Sequence, residues 1–262
     1  MGILNVTPDS FSDGGAYLSL EEAVARGLEM DAEGAGILDV GGESTRPGSL
    51  PVPEDEEMRR VIPVIRGLAA KANAVISVDT TKASVANAAI GAGARIVNDT
   101  SALSDDREMA AAVRASGAAV VLMHRRGSPA TMQEAPHYES LIEEVLDELT
   151  GRIDAAVSAG IERERILVDP GIGFGKRLCD NLALHRHLDR LRILGRPIVF
   201  GPSRKSFIGT LTGALPKNRA FGTAAAVTAA VLRGAHVVRV HDVKEMREVV
   251  EVAYAIRGES SW

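Results

Sequence analysis

The sequence predicts an α/β fold: a single (β/α)8 TIM barrel, one domain over residues 1–262, with its active site at the C-terminal ends of the strands. Three observations carry this expectation. Eight short runs rich in Val and Ile are apolar almost throughout, as strands buried on both faces must be. Longer amphipathic segments separate them. A glycine stands just ahead of several of the runs, where a helix would stop in the left-handed conformation and turn into the next strand.

In chain order the strand runs are MGILNV, GILDVGG, AVISVDT, RIVNDTS, AAVVLMH, ILVDPG, PIVFGPS and HVVRVHD. The helical pattern is clearest in SLEEAVARGLEMDAEG after the first and YESLIEEVLDELTGRIDAAVSAG after the fifth. The glycine stops are those of EGAGIL, IGAGARIV, ASGAAVV and LRGAHVV. STRPGSLPVPEDEE and HRRGSPATMQEAPHYE are the longest loops, and both follow strands. A doubly wound open sheet is the other fold with this alternation; the strand count favours the barrel.

The composition excludes several function classes. The chain has 262 residues, a net charge of -5 and no dense basic run, which argues against nucleic acid as a partner. No apolar run is long enough to cross a membrane. Cys179 is the single cysteine, so no internal disulfide can form. With no signal-peptide pattern at the N-terminus, a cytoplasmic location is expected.

Each strand run ends in polar groups: Asn5, Asp39 with Glu43, Asp79, Asn98 with Asp99, His124, Asp169, Ser203 with Lys205, and Arg239 with His241. In a barrel these ends share one rim. Helix capping would account for Asp99 or Asp242 singly. It does not account for the set, since a cap needs one small polar residue, not Arg, Lys and His. Arg239 and His241 share a strand face and, with Lys205, form a cationic corner suited to phosphate oxygens, or else a salt-bridge network with local acids. Asp79, Asn98 and Asp169 suit a flat heterocycle with an amino group beside a ring N–H and a carbonyl, unless the acids pair with Lys205 or Arg46. The chain has no P-loop, dinucleotide fingerprint, zinc spacing or nucleophile elbow, which weighs against covalent hydrolysis. In HRH, His185 to His187 are expected on a solvated helix face.

Taken in order, GILNVTPDSFSDGG, GAGILDVGGESTRPGS, SVDT, IVNDTSAL, MHRRGSPATMQ, DPGIGFGK, SRKSFIG and RVHD resemble the signatures of the dihydropteroate synthase family over essentially the whole chain. Two departures stand out: Arg125 and Ile172 occupy positions where the family often has Met and Phe, and the first strand starts almost at Met1 where relatives carry a lead segment. A pterin-binding methyltransferase serving a corrinoid protein, and a pterin-binding barrel without turnover, share parts of this pattern.

The resemblance implies condensation of a pterin methyl pyrophosphate with p-aminobenzoate, giving dihydropteroate and pyrophosphate by SN1-like loss of pyrophosphate. It implies Mg2+ with Asn5 as its protein ligand, sulfonamides as inhibitors, and a homodimer joined through a helical face late in the barrel. Thr45, Asp79, Asn98, Met123, Asp169, Lys205, Arg239 and His241 would bind the pterin pyrophosphate. Thr45, Arg46, Pro47, Phe174, Ser206 and Phe11 would bind p-aminobenzoate. Asp79, Asp169, Lys205 and Asp13 would be catalytic, with Asp9, Ser10, Phe11 and Asp13 acting from a lid that closes over the reactants.

Overall fold

A computed structural model of the protein describes residues 1–7, 20–44, 49–128 and 131–258. Strands and helices alternate: β1 (Gly2–Asn5), α1 (Leu20–Ala32), β2 (Ile37–Gly41), α2 (Glu54–Ala69), β3 (Val75–Asp79), α3 (Ala83–Ala92), β4 (Ile96–Asp99), α4 (Met109–Ser116), β5 (Ala119–Met123), α5 (Leu141–Ser158), β6 (Ile166–Asp169), α6 (Leu178–Arg186), β7 (Val199–Phe200), α7 (Ser206–Thr212), α8 (Ala220–Leu232), β8 (Val237–Val238) and α9 (Val243–Arg257). All strand pairs are parallel, and β1 to β6 lie side by side in chain order. The ring closes through narrower links. Val168 bridges to Ile198, β7 pairs with β8, and Val240 bridges to Gly2. Backbone bonds of 2.9 Å run from Ile3 N to Val240 O and from Val240 N to Met1 O. The eight-stranded barrel expected from the sequence is the fold observed.

The last two strands are shorter than their apolar runs. Pro197 and Pro202 flank β7, and neither can donate to a ladder. The eighth run is shared: Arg239 N bonds Phe200 O on one side, while Val240 bonds the first strand on the other. One helix is extra to the simple alternation. The α7 turn starts on SFIG directly after Lys205, so two helices follow the seventh strand. The four predicted glycine stops, Gly34, Gly93, Gly117 and Gly234, all have positive φ.

Alternation along the strands splits the apolar residues into two layers. Ile96, Val121 and Val199, with Ile37, Leu167 and Val237, fill the barrel interior. Leu4, Leu38, Val40, Val78, Val97, Leu122, Val168 and Phe200 point outward and pack under the helices. The inward row therefore turns from apolar at the floor to polar at the mouth.

Candidate active site

Register builds the mouth. Asn5 pairs with Gly41, Gly41 with Asp79, and Asp79 with Asn98, so these four residues form one row of inward positions. Met123 pairs with Asp169 on the facing arc. Gly41 leaves a gap in the row. A Cβ there would lie 3.7 Å from Asn5 Oδ1 and 3.8 Å from Asp79 Oδ2, so both oxygens border the same small space. That space suits a hard cation, which takes oxygen ligands. Among the described residues no cluster of three or more His, Cys, Asp or Glu could hold a metal ion. A Mg2+ ion here would take most of its ligands from phosphate and water, as Mg2+ commonly does.

Arg239 is the hub of the interior. Its Nε donates to Asp39 Oδ2 at 2.6 Å and its Nη2 to Asp79 Oδ2 at 2.7 Å. Asp39 Oδ2 also accepts Asn98 Nδ2 at 2.9 Å. Asn98 therefore spends one amide hydrogen on holding this network. Of the two readings of Arg239, the salt-bridge network describes its guanidinium here, while Nη1 makes no hydrogen bond among the described residues. Burial pushes the Asp79 carboxyl up to about 7, opposed by Arg239 and reinforced by the charges of Asp39, Glu57 and Asp99. Among the described residues the partner of Asp79 is Arg239 rather than Lys205. From the sequence, Asp39 is named among the strand ends but given no role in the site. Its signal was an acid at an inward position of an otherwise apolar strand, and it is fully buried.

Across the mouth, Asp169 Oδ1 accepts Gly171 N at 2.7 Å, which turns the chain back under the carboxylate. Burial raises the Asp169 pKa, against that hydrogen bond and the nearby Lys205, Arg239 and Lys176 charges. Lys205 Nζ lies 4.2 Å above the Phe174 ring, and Phe174 packs with Met123 and Met132. Ser206 opens α7 and is exposed. His241 Nδ1 meets Ser203 Oγ at 2.9 Å. The structure thus brings Asn5, Asp79, Asn98, Met123, Asp169, Phe174, Lys205, Arg239 and His241 to one end of the barrel. Asp9, Ser10, Phe11, Asp13, Thr45, Arg46 and Pro47 lie outside the described residues.

Other polar strand ends serve the scaffold. His124 follows the inward Met123 and so turns out of the barrel, where Lys176 Nζ meets its Nδ1 at 2.9 Å. Its Nε2 lies 3.1 Å from Glu148 Oε2. Burial and Lys176 push the His124 pKa down to about 4, and burial pushes Lys176 down to about 7. Glu43 pairs with Lys82, which also meets Glu57 at 2.5 Å. Asp99 caps no described helix, and Asp242 is the N-cap residue of α9 but its side chain makes no capping hydrogen bond. Asp99 accepts the N–H groups of Ser101 and Leu103 in the turn after β4, and Asp242 pairs with Arg204. His185 is a correction: it is buried against Phe200 and Phe207, and only Arg186 and His187 face solvent. A period of 3.6 makes neighbouring positions face different ways.

A cavity of about 290 Å³ opens on the β2–β5 side of Asp79, bordered by Glu43, Thr80, Lys82, Thr100, Asp105 and Arg125. Arg125 is held there by both carboxylate oxygens of Asp105, at 2.9 and 2.8 Å. The ion pair neutralises the Arg125 charge at the cavity's edge.

The profile of pterin binding enzymes matches residues 1–241. The chain is 46% identical over 255 residues to the dihydropteroate synthase of Escherichia coli K12, covering 97% of this chain and 90% of that protein. It superposes with a TM-score of 0.95 on Yersinia pestis dihydropteroate synthase in a sulfonamide drug complex, at 42% identity, covering 98% of this chain and 94% of that one. It superposes with a TM-score of 0.92 on Xanthomonas albilineans dihydropteroate synthase bound to 4-aminobenzoic acid, at 49% identity, covering 99% and 93%.

Proposed function

The chain belongs to the pterin binding enzyme family, and from that premise we propose that it catalyses the dihydropteroate synthase reaction of folate biosynthesis. It joins 6-hydroxymethyl-7,8-dihydropterin pyrophosphate to p-aminobenzoate, releasing 7,8-dihydropteroate and pyrophosphate. The observation that carries this reading is the buried Asp79, Asn98 and Asp169 facing one another across a mouth edged by Lys205, Arg239 and His241.

These groups account for the steps. The pterin's amino and ring N–H edge would donate to the acids, with Asn98 fixing the ring's direction. As the C–O bond breaks, its electron pair leaves with pyrophosphate and positive charge spreads into the pterin. Two carboxylates already aimed at that ring stabilise the charge without reorganising. Arg239, through the Nη1 that makes no hydrogen bond among the described residues, and His241 would hold the leaving pyrophosphate. Mg2+ bound beside Asn5 would neutralise phosphate charge. Lys205, over the Phe174 ring, would reach the pterin carbonyl or a ring nitrogen, with Met123 in the pocket wall. The neutral amine of p-aminobenzoate then forms the C–N bond and loses a proton. Position does more for it than a base would, which fits a sequence without a nucleophile elbow. Phe174 and Ser206 would border p-aminobenzoate together with Thr45, Arg46, Pro47 and Phe11. Asp13 would act from the first loop.

Purified protein given the pterin pyrophosphate, labelled p-aminobenzoate and Mg2+ should form labelled dihydropteroate and pyrophosphate. A sulfonamide should compete with p-aminobenzoate. Pterin binding without product would overturn the reading. Asn5→Ala should raise the Mg2+ concentration needed for calorimetric pyrophosphate binding by roughly tenfold, the worth of about one ligand; unchanged Mg2+ dependence would remove Asn5 from the metal site.

A homodimer is supported by apolar side chains exposed on the last helices. Phe221 is 92% exposed on α8, and Val252 and Ile256 are 61% and 67% exposed on α9. The lone cysteine supports a cytoplasmic location, and no helix among the described residues is long and apolar enough to cross a membrane.

A further inference from the structure

Arg204 has a left-handed backbone, φ 56°, without being glycine. Such a conformation is strained for an L-residue and persists only where the surroundings hold it. Arg204 is held at three points. Its N–H donates to Oγ1 of the buried Thr223 at 3.1 Å. Its carbonyl accepts Arg219 Nη1 at 2.9 Å, and the same nitrogen reaches Lys205 O at 3.2 Å. Its guanidinium forks onto Asp242, Nε to Oδ2 at 3.1 Å and Nη2 to Oδ1. Gly209 makes room for this clamp, because a Cβ there would fall 2.0 Å from Arg219 Nη2.

The contacts lie beyond the last ladder pair of β7 and β8, Phe200 with Val238. Past it, side chains replace the ladder in two consecutive rungs. Ser203 meets the backbone N and Nδ1 of His241 at 3.2 and 2.9 Å, and Arg204 meets Asp242. Lys205 follows one rung and His241 belongs to the other. We propose that Arg204 and Asp242 form a positioning pair that fixes Lys205 and His241 relative to each other, so that one substrate is gripped at its pterin and its pyrophosphate together. This rests on the functional reading above. An ordinary exposed ion pair would contribute little. The two-pronged geometry and the strained backbone beside Lys205 set this one apart.

The test uses the full chain with Asp242→Asn, which keeps shape and removes charge, and Arg204→Gly, which removes the fork and relieves the backbone. Inorganic pyrophosphate affinity is read by calorimetry in the presence of Mg2+, alongside kcat and KM for the pterin pyrophosphate. Each single variant should weaken pyrophosphate binding and raise KM by roughly fivefold or more, with a smaller fall in kcat, and the double variant should be no worse than either. Values within twofold of the unmodified protein, additive losses, or tighter pyrophosphate binding by Asp242→Asn would each overturn the pair; the last would mean that Asp242 merely repels phosphate. Unmodified protein that neither binds pyrophosphate nor turns over would instead remove the functional reading itself.

Discussion

Arg239 carries two buried carboxylates, and the balance among the three charges sets the chemistry of the mouth. Asp39 holds the guanidinium from below and adds to the repulsion that, with burial, raises Asp79. In the proposed mechanism Asp79 stabilises a pterin cation only when ionised, so kcat/KM should rise with pH up to about 7, the value to which burial pushes its carboxyl. In Asp39→Asn the repulsion falls and Arg239 is freed for Asp79. The acid limb should then move to lower pH by about one unit, equivalent to about 1.4 kcal/mol of interaction. A pH–rate profile checks this, and an unmoved limb would mean that another group governs it. The same substitution would show whether Asn98 depends on Asp39 for its orientation, since the two are bonded at 2.9 Å.

At the scale of an element, the turn from Asp169 to Lys176 shows how backbone shape presents side chains. A Cβ on Gly171 would fall 1.9 Å from His124 O, and its φ is +70°. Only glycine lets this turn lie directly on the exit of β5. Lys176 then fastens the turn from beneath, its Nζ meeting Phe174 O at 3.0 Å as well as His124. Tyr138 donates to Gly175 O at 2.9 Å and Gln133 to Gly173 O at 2.7 Å. Gly171→Ala should therefore cost at least about 3 kcal/mol, the upper end of ordinary backbone strain, with overlap added. Chemical denaturation measures it. A loss below 1 kcal/mol would show that the turn can move away from β5.

For the whole molecule, two buried bases bias stability in the same direction. His124 titrates at about 4 when folded against an ordinary 6.5, so between those values the unfolded chain binds more protons. Stability is lost as pH falls through that window. Lys176 titrates at about 7 against an ordinary 10.5, so the unfolded chain again binds more protons above 7 and stability rises with pH. Asp79 works in the opposite sense, but only below about 7. Between pH 7 and 9 the Lys176 contribution should therefore show as a rising unfolding free energy, and Lys176→Met should flatten it. An equally steep rise in the variant would assign the slope elsewhere. At the same scale, Phe221→Asp should leave folding intact, because the side chain is 92% exposed, and should shift a dimer to monomers in sedimentation. An unchanged oligomeric state would move the interface off α8.

The barrel, the order of its strands and the inward polar ends are legible in the sequence alone, while the extra helix α7 is not. The first three follow from local period and from glycine stops, all read within a few residues. The sequence also placed Asp79, Asn98, Asp169, Lys205 and His241 on the rim, since a strand end needs no knowledge of its neighbours. Partner choice was decided only by the tertiary structure. Arg239 and Asp39 are 200 residues apart, and whether that guanidinium faces phosphate or carboxylate depends on closure bringing β8 against β1 and β2. Lys176 with His124, and Arg204 with Asp242, are likewise separated by 52 and 38 residues. Closure also shares the eighth run between its two neighbours, and past it side chains take over the ladder's task. Periodicity assigns a face to a residue, but what that face meets is set by the ring as a whole.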